Sequence, residues 1–292
     1  MIIRQALDQA GKILAAEGIQ DHNLESEILL RHTLKMDRAR LFLEMEAGLS
    51  SGQQREFLRL VERRVSGEPT AYLTGHREFY GLDFLTNRDV LIPRPESELL
   101  VEQAIETAKI YPFLTIADIG TGSGAIAVSL AVNLPRAMIY ATDISASALE
   151  VARTNCRKHR VTEKVHLLEG DLLEPLPEPV DIIIANLPYV PSPELDTVNT
   201  RGFEPSLALD GGPDGLKDIS RLCAGVDKKL KPGGCLLLEI GQGQGEAVTG
   251  LLVRLFPSAA LEITADLGGI ERVIKLSLAR RTGTRILDAK AV

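Results

Sequence analysis

The sequence predicts an α/β protein in which a mostly parallel sheet, covered by helices on both faces, follows a small helical bundle and a β-hairpin linker. From Tyr111 onward, short apolar runs alternate with helical patterns, as strands and crossover helices do. Up to Thr74 the apolar residues recur only at helical spacing. Between these regions, His76–Ile92 carries strand-type residues around Gly81.

In residues 1–74, Ile3, Ala6, Leu7, Ala10, Ile13 and Leu14 mark one apolar face. Leu24, Ile28, Leu29 and Leu34 mark another. Asn23 and Ser50 stand where N-caps belong, and Gly18 and Gly48 where helices stop. Four or five short helices follow. In residues 75–95, Phe79, Leu82, Phe84 and Leu85, then Val90-Leu91-Ile92, predict the hairpin. Pro93-Arg94-Pro95 is an extended connector, because each proline disfavours helix at the residue before it. Ser97 is the expected cap of the next helix, which runs through Leu99, Leu100, Gln103 and Ala104.

Residues 96–280 carry seven candidate strands: Thr115–Ile119, Ala137–Thr142, Val165–Leu168, Val180–Ala185, Cys235–Ile240, Ala260–Thr264 and Arg272–Leu278. Ala125–Asn133 and Ala146–Lys158 are helices between them. The ligand crevice of such a sheet belongs at the carboxyl ends of its first and fourth strands, where the winding reverses. Residues 281–292 read as a flexible basic tail.

Composition excludes several classes. With 45% hydrophobic and 25% charged residues in a 292-residue chain, a sizeable core is available. No apolar run reaches the roughly 18 residues that cross a bilayer, and Met1-Ile2-Ile3-Arg4 opens no signal-peptide block, so no membrane association and a cytoplasmic location are expected. Three cysteines and five scattered histidines form neither a disulfide framework nor a metal site. The net charge of −7 argues against a broad phosphate-neutralising surface. No direct nucleic-acid partner is expected.

After the first strand of the large region stands Asp118-Ile119-Gly120-Thr121-Gly122-Ser123-Gly124-Ala125. Its glycines let the backbone turn tightly and approach a ligand, and the following helix start presents N–H groups. Gly120, Gly122 and Ala125 also fit a dinucleotide fingerprint, and Asp143 at the end of the second strand could grip ribose hydroxyls in either case. Two acids lean toward S-adenosylmethionine. Asp118 suits the cationic amino-acid part of that cofactor. Asp171 follows the third strand, where it could accept an adenine amino group while Leu172 packs on the ring.

The tetrapeptide Asn186-Leu187-Pro188-Tyr189 follows the fourth strand directly. An NH₂ conjugated to a carbonyl or purine ring is a poor nucleophile because its lone pair is delocalised. Two acceptors aimed at its N–H bonds orient it and raise its electron density as charge develops. The Asn186 side-chain oxygen and the Leu187 carbonyl can supply both. Pro188 stiffens the turn, and Tyr189 offers a flat stacking face. No general base is needed, since the methylated nitrogen loses its proton readily. Catalysis then rests on positioning and electrostatics.

The glycine loop and tetrapeptide together resemble the class I amino-methyltransferases, whose sheet is a seven-stranded Rossmann-like one. Further segments resemble one family, the release factor glutamine methyltransferases (PrmC or HemK). These are Tyr72-Leu73-Thr74-Gly75, Glu78-Phe79-Tyr80-Gly81, Leu91-Ile92-Pro93-Arg94-Pro95-Glu96-Ser97-Glu98, Phe203-Glu204-Pro205 and Ala208-Leu209-Asp210-Gly211-Gly212-Pro213-Asp214-Gly215-Leu216. The resemblance spans nearly the whole chain. It implies a cytoplasmic, monomeric enzyme of translation termination that methylates N5 of the glutamine in the Gly-Gly-Gln loop of peptide chain release factors. It also implies S-adenosyl-L-homocysteine as product, a helical domain that docks the substrate, cofactor positions at Gly120 to Gly124, Asp143, Leu172 and Asn186, and substrate positions at Asn186 to Tyr189.

Leu187 departs from the family's usual proline, and N-L-P-Y also resembles the rRNA adenine dimethyltransferases. A nucleic-acid N-methyltransferase is therefore the alternative reading. A nicotinamide-dependent oxidoreductase would share the glycine loop but has no use for N-L-P-Y, and a silent cofactor-binding module is a third possibility. Arg94, Glu96 and Glu204 are read two ways, as substrate contacts or as ion pairs tying linker to loop.

Overall fold

The computed structural model describes residues 1–110, 114–198 and 202–279; the expected basic tail lies outside the described residues. The first region holds five helices, α1 (Ile3–Ala16), α2 (His22–Leu34), α3 (Arg38–Leu43), α4 (Ser51–Val65) and α5 (Thr70–Thr74). Their apolar faces bury Ile3, Leu14, Leu29, Leu30, Leu41, Phe57 and Leu60 in one core. Ser50 starts α4 as a reciprocal cap: its hydroxyl accepts from Gln53 N at 3.2 Å while Gln53 Oε1 accepts from Ser50 N at 2.9 Å. Gly18, in the left-handed region at φ 75°, follows α1 as expected. Two expected signals are corrected. Asn23 is the second residue inside α2, and Gly48 pairs with Ile2 in an isolated bridge well after α3 has ended.

The linker forms β1 (His76–Phe79) and β2 (Leu82–Leu85), paired antiparallel. Val90–Ile92 is not part of this hairpin. Val90 and Ile92 are buried, and the Val90 carbonyl accepts from the Tyr72 hydroxyl at 2.6 Å. Burial without ladder pairing explains the misleading apolar triplet. The hairpin instead clips to the large region through Asn155. Its Oδ1 accepts from Leu85 N at 2.8 Å, and its Nδ2 donates to the carbonyls of Leu85 and Ser123 at 3.0 and 2.9 Å.

The remaining elements are α6 (Glu98–Ala108), β3 (Leu114–Ile119), α7 (Ala125–Asn133), β4 (Ala137–Asp143), α8 (Ala146–Lys158), β5 (Val165–Glu169), β6 (Val180–Ala185), α9 (Leu195–Val198), α10 (Lys217–Lys229), β7 (Leu230–Glu239), α11 (Gly245–Leu255), β8 (Ala260–Ala265) and β9 (Glu271–Ser277). The strands order β5-β4-β3-β6-β7-β9-β8. The first five run parallel, and β9 joins β7 and β8 antiparallel. All seven expected strands are present within a few residues. The largest difference is β7, which starts at Leu230 rather than Cys235, with an irregularity in its pairing to β6 between Val180 and Ile182. Two apolar cores cover the sheet, one under α6 and α7, the other under α10 and α11. Because β3 and β6 are neighbours, the chain leaves both of their carboxyl ends toward one crevice.

Candidate active site

A cleft of about 390 Å³ opens at that switch point, within the range of small-molecule sites. The glycine loop forms one wall. Gly120 adopts φ +72°, and a Cβ there would lie 3.1 Å from Leu187 Cδ2, so loop and tetrapeptide meet without room for a side chain. The loop's N–H groups are mostly engaged. Gly120 and Thr121 donate to the Thr142 carbonyl, both at 2.9 Å, and Gly122 donates to Asp143 Oδ2 at 2.8 Å. The loop therefore offers a surface for close approach more than a row of free donors.

Gly120, Thr121, Gly122, Ser123, Asp143, Asp171, Leu172, Asn186, Leu187 and Pro188 all line the cleft. Asp143 spends one oxygen on Gly122 and accepts from Ser145 N at 2.9 Å with the other. Burial raises its pKa although these backbone bonds oppose the shift. Leu172 sits at φ 49°, a conformation that costs an L-residue about 1–2 kcal/mol, and its carbonyl accepts from Thr142 Oγ1 at 3.0 Å. Such strain beside a cleft suits a residue placed for contact. Asp171 is ion-paired with Arg221, which reaches the cleft from α10.

Three expected site residues stand elsewhere. Asp118 is buried behind the loop, where its Oδ2 accepts from Thr121 Oγ1 at 2.7 Å and Ala127 N at 3.1 Å. Burial pushes its carboxyl up to about 6. It braces the loop rather than forming part of the cleft wall. Gly124 packs against α8: at φ +79° its missing Cβ would meet the Ala152 Cβ at 3.2 Å. Tyr189 does not present its expected stacking face in the cleft wall. Its hydroxyl points at Glu239 Oε1, 3.4 Å away, and its ring lies against Gly241.

The tetrapeptide is held from two sides. Asn186 Nδ2 donates to Ser97 Oγ at 2.9 Å, which leaves Oδ1 as the amide's acceptor for the cleft. Ser97 therefore does not cap α6 with its side chain, as the sequence suggested. On the other side, the Tyr189 carbonyl accepts from Gln244 Nε2 at 3.0 Å. Gly215 passes so close that a Cβ would lie 2.3 Å from that same carbonyl, which explains the glycine at this point of the Ala208–Leu216 segment. Val190 bridges to Asp210 in the same segment.

Of the charged residues read two ways, Arg94 both lines the cleft and ties the linker to the loop. Arg94 forms an ion pair with Glu204, whose Oε1 also accepts from Ile92 N at 3.2 Å. Glu96 lies within electrostatic reach of Glu239 and Arg272. Sequence reasoning missed Ser97 as a partner of Asn186, Asn155, Arg221 and above all Glu239. Glu239 is the last residue of β7 and only 1% exposed, and burial pushes its carboxyl up to about 7. Its signal was a lone acid inside the apolar run Leu236-Leu237-Leu238-Glu239-Ile240. Among the described residues no cluster could hold a metal ion, and no helix is long and apolar enough to cross a membrane.

A mostly parallel seven-stranded sheet, with a glycine loop after β3 and an Asn-Leu-Pro-Tyr turn after β6 sharing one cleft, defines an α/β methyltransferase of the Rossmann-like class. Comparison with known proteins agrees: residues 5–75 match the PrmC N-terminal domain and residues 95–201 the methyltransferase small domain. The chain is 45% identical over 275 residues to the release factor glutamine methyltransferase of Moorella thermoacetica, covering 93% of this chain and 97% of that protein. It is 40% identical over 279 residues to the one of Koribacter versatilis, covering 94% and 98%. Its fold is similar to a methyltransferase from Pyrococcus furiosus at 17% identity, with a TM-score of 0.51 over 68% of this chain and 90% of that one. The chain belongs to the release factor glutamine methyltransferase family.

Proposed function

We propose that this enzyme uses S-adenosylmethionine to methylate N5 of the glutamine in the Gly-Gly-Gln loop of peptide chain release factors. The observation that carries the reading is Asn186, fixed with its Nδ2 on Ser97 and its Oδ1 left for the cleft. A glutamine amide entering the cleft meets an acceptor for one N–H there, and the Leu187 carbonyl is the second. Held this way, its lone pair is directed at the methyl group and gains density as the bond forms. No residue needs to remove a proton first.

The residues that line the cleft support this choice of cofactor. Gly120 to Ser123 allow close approach, Asp143 is a carboxylate beside that loop, and Asp171 and Leu172 line the same cleft, which in this reading puts them against the adenine edge and face. When bound, S-adenosylmethionine supplies an electrophilic methyl on a sulfonium centre and leaves as S-adenosylhomocysteine. Residues 1–74 form the substrate-docking domain in this reading, 75–95 the linker and 96–280 the catalytic domain. The enzyme then works in the cytoplasm, in translation termination, as a monomer.

The test is methyl transfer from radiolabelled S-adenosylmethionine to a purified release factor, beside a version with the loop glutamine changed to alanine and beside ribosomal RNA. Label on the intact factor alone is expected. Equal labelling of both factors, or labelling of the RNA instead, would overturn the glutamine assignment.

A further inference from the structure

The walls of the cleft differ in what holds them. The glycine loop is fixed by hydrogen bonds to β4, within the sheet region. The wall beside the tetrapeptide is assembled from two segments distant in sequence. Arg88, Leu91 and Pro93 come from the linker, Pro205 and Leu207 from the loop that follows the tetrapeptide. That loop lies against the tetrapeptide, where Val190 N donates to the Leu209 carbonyl at 2.9 Å. The linker runs on to Ser97, which holds Asn186. The two segments are clasped at consecutive loop residues. Arg94 pairs with Glu204, and the Arg88 guanidinium lies over the Phe203 ring, its carbon 5.1 Å from the ring centroid.

We propose that Arg88 is a substrate-positioning residue, which by holding Phe203 sets the loop wall of the cleft in register with the helical region. The proposal rests on reading a release factor as the substrate. Arg88 stands on a fixed base. Its Nη2 donates to Glu68 Oε1 at 2.9 Å, and the buried Glu68 carboxylate also takes Nε and Nη2 of Arg63, both at 2.7 Å. The backbone on either side of Arg88 is tied down as well. Thr86 N donates to the Gly75 carbonyl at 3.0 Å, and the Tyr72 hydroxyl to the Val90 carbonyl at 2.6 Å. The linker around Arg88 therefore keeps its place beside α5, and the loop is joined to it through the side chains of Phe203 and Glu204.

An arginine suits this double task. Its planar guanidinium donates in the plane to a carboxylate while its face stacks on a ring. A glutamine brought by a factor that rests on the helical region has to pass the loop wall to reach Asn186. The pass is reproducible only if that wall keeps a fixed place relative to the docking region. Asn186 and Tyr189 are held by other bonds, to Ser97 and Gln244. Loosening Phe203 therefore leaves the reacting groups in place, and the loss falls on KM for the factor and not on kcat. Cofactor affinity is set at the glycine loop and Asp143, which the clasp does not touch.

The experiment is a cycle of Arg88→Ala, Phe203→Leu and the double variant, assayed with radiolabelled S-adenosylmethionine and a purified release factor. Each single variant should raise KM for the factor about three- to fivefold, the scale of one exposed cation–π contact. Turnover should stay within about twofold, and S-adenosylhomocysteine affinity should not change. The double variant should be no worse than either single one, because both remove the same contact. Phe203→Tyr, which keeps the ring, should behave as wild type. Losses that multiply in the double variant, a wild-type KM in Phe203→Leu, a Tyr variant as impaired as the Leu variant, or a parallel loss of S-adenosylhomocysteine affinity overturns the proposal. Phe203→Leu keeps the Arg88–Glu68 pair, so its effect is separate from any unpairing of Glu68. A second readout needs no substrate. Amide hydrogen exchange of the full-length enzyme should quicken over residues 203–211 in both single variants and stay unchanged in β3; unchanged exchange over 203–211 overturns the proposal as well. Faster exchange there, with no label placed on release factors by the wild type, would count against the substrate assignment and not against the clasp.

Discussion

The helical region and the sheet region both bury carboxylates, and they treat them in opposite ways. In the helical region the acids meet arginine. Glu68 is 5% exposed and takes two bonds from Arg63, both at 2.7 Å, and one from Arg88 at 2.9 Å. The Arg63 guanidinium leads in holding its pKa below the usual range. Glu27 has Arg31 and Arg38, and Glu25 has Arg64 and the Thr70 hydroxyl. In the sheet region the answer depends on which end of the strand the acid occupies. At the amino end of β6, Asp181 overcomes its burial through Thr115 and Lys231 and its pKa is lowered. At the carboxyl ends of β3, β4 and β7, Asp118, Asp143 and Glu239 have hydroxyls and backbone N–H groups in place of a close cation, and all three are raised by burial. Paired acids hold the scaffold; the unpaired ones crowd the end of the sheet where the cleft is.

If that division is sound, changes at the cleft should move rate and changes at the paired acids should move stability. Asn186→Ala should produce the largest effect, a fall in kcat of roughly 10²-fold or more, the scale of one lost charge-stabilising group. Its melting temperature should stay within a few degrees of wild type, because the side chain is only part-buried. Near-normal turnover would remove Asn186 from the mechanism and break the comparison at its functional end.

Glu239→Gln should show the cost of an unpaired acid. The carboxyl titrates near 7 in the fold and near 4.5 in the unfolded chain, so the native state holds its proton over a window in which the unfolded state has lost it. Stability therefore falls as pH rises from about 4.5 to 7. Removing the charge should stabilise the fold by about 3 kcal/mol at pH 8, on the usual scale of about 1.4 kcal/mol per pKa unit, and by much less at pH 5. Urea unfolding at the two pH values measures this. The charged form of this buried acid is thus present only where it weakens the fold. Glu68→Gln should do the reverse and less of it, losing about 1–2 kcal/mol at pH 7 with kcat within about twofold. That loss should fade in acid, since the native Glu68 carboxylate contributes only above its own lowered pKa.

Much of this layout was legible in the chain. Apolar runs located all seven strands, and the two motifs fell at the carboxyl ends of β3 and β6, where topology brings them together. What stayed hidden depends on contacts distant in sequence. Ser97 before a helix looks like a cap, and nothing local says that its hydroxyl belongs to Asn186, 89 residues away. Asp118 before the glycines looks like a ligand contact, because the turn that folds Thr121 and Ala127 back onto it shows only in three dimensions. Glu239 was visible as an acid in an apolar strand, but the hydroxyl that reaches it, that of Tyr189, comes from a segment 50 residues away. Arg221 lies on the polar side of amphipathic α10, where a residue that reaches a cleft and one that faces water give the same pattern.

Arg221 also supplies the smallest test, because it is the exception to the division. Its pair with Asp171 brings a cation to an acid that lines the cleft, where the other cleft-end acids have none. If Asp171 accepts an adenine amino group, Arg221 competes for the same carboxylate. The side chains of this pair are 48% and 30% exposed, so water and salt screen it, and such pairs contribute about 1 kcal/mol or less. Arg221→Ala should therefore tighten S-adenosylhomocysteine binding by no more than about fivefold, read by calorimetry, and the gain should shrink as salt rises and screening shortens the reach of the charge. Weaker binding in the variant would mean that Arg221 holds Asp171 in place for the ligand. The pair would then belong with the arginine-held acids of the helical region.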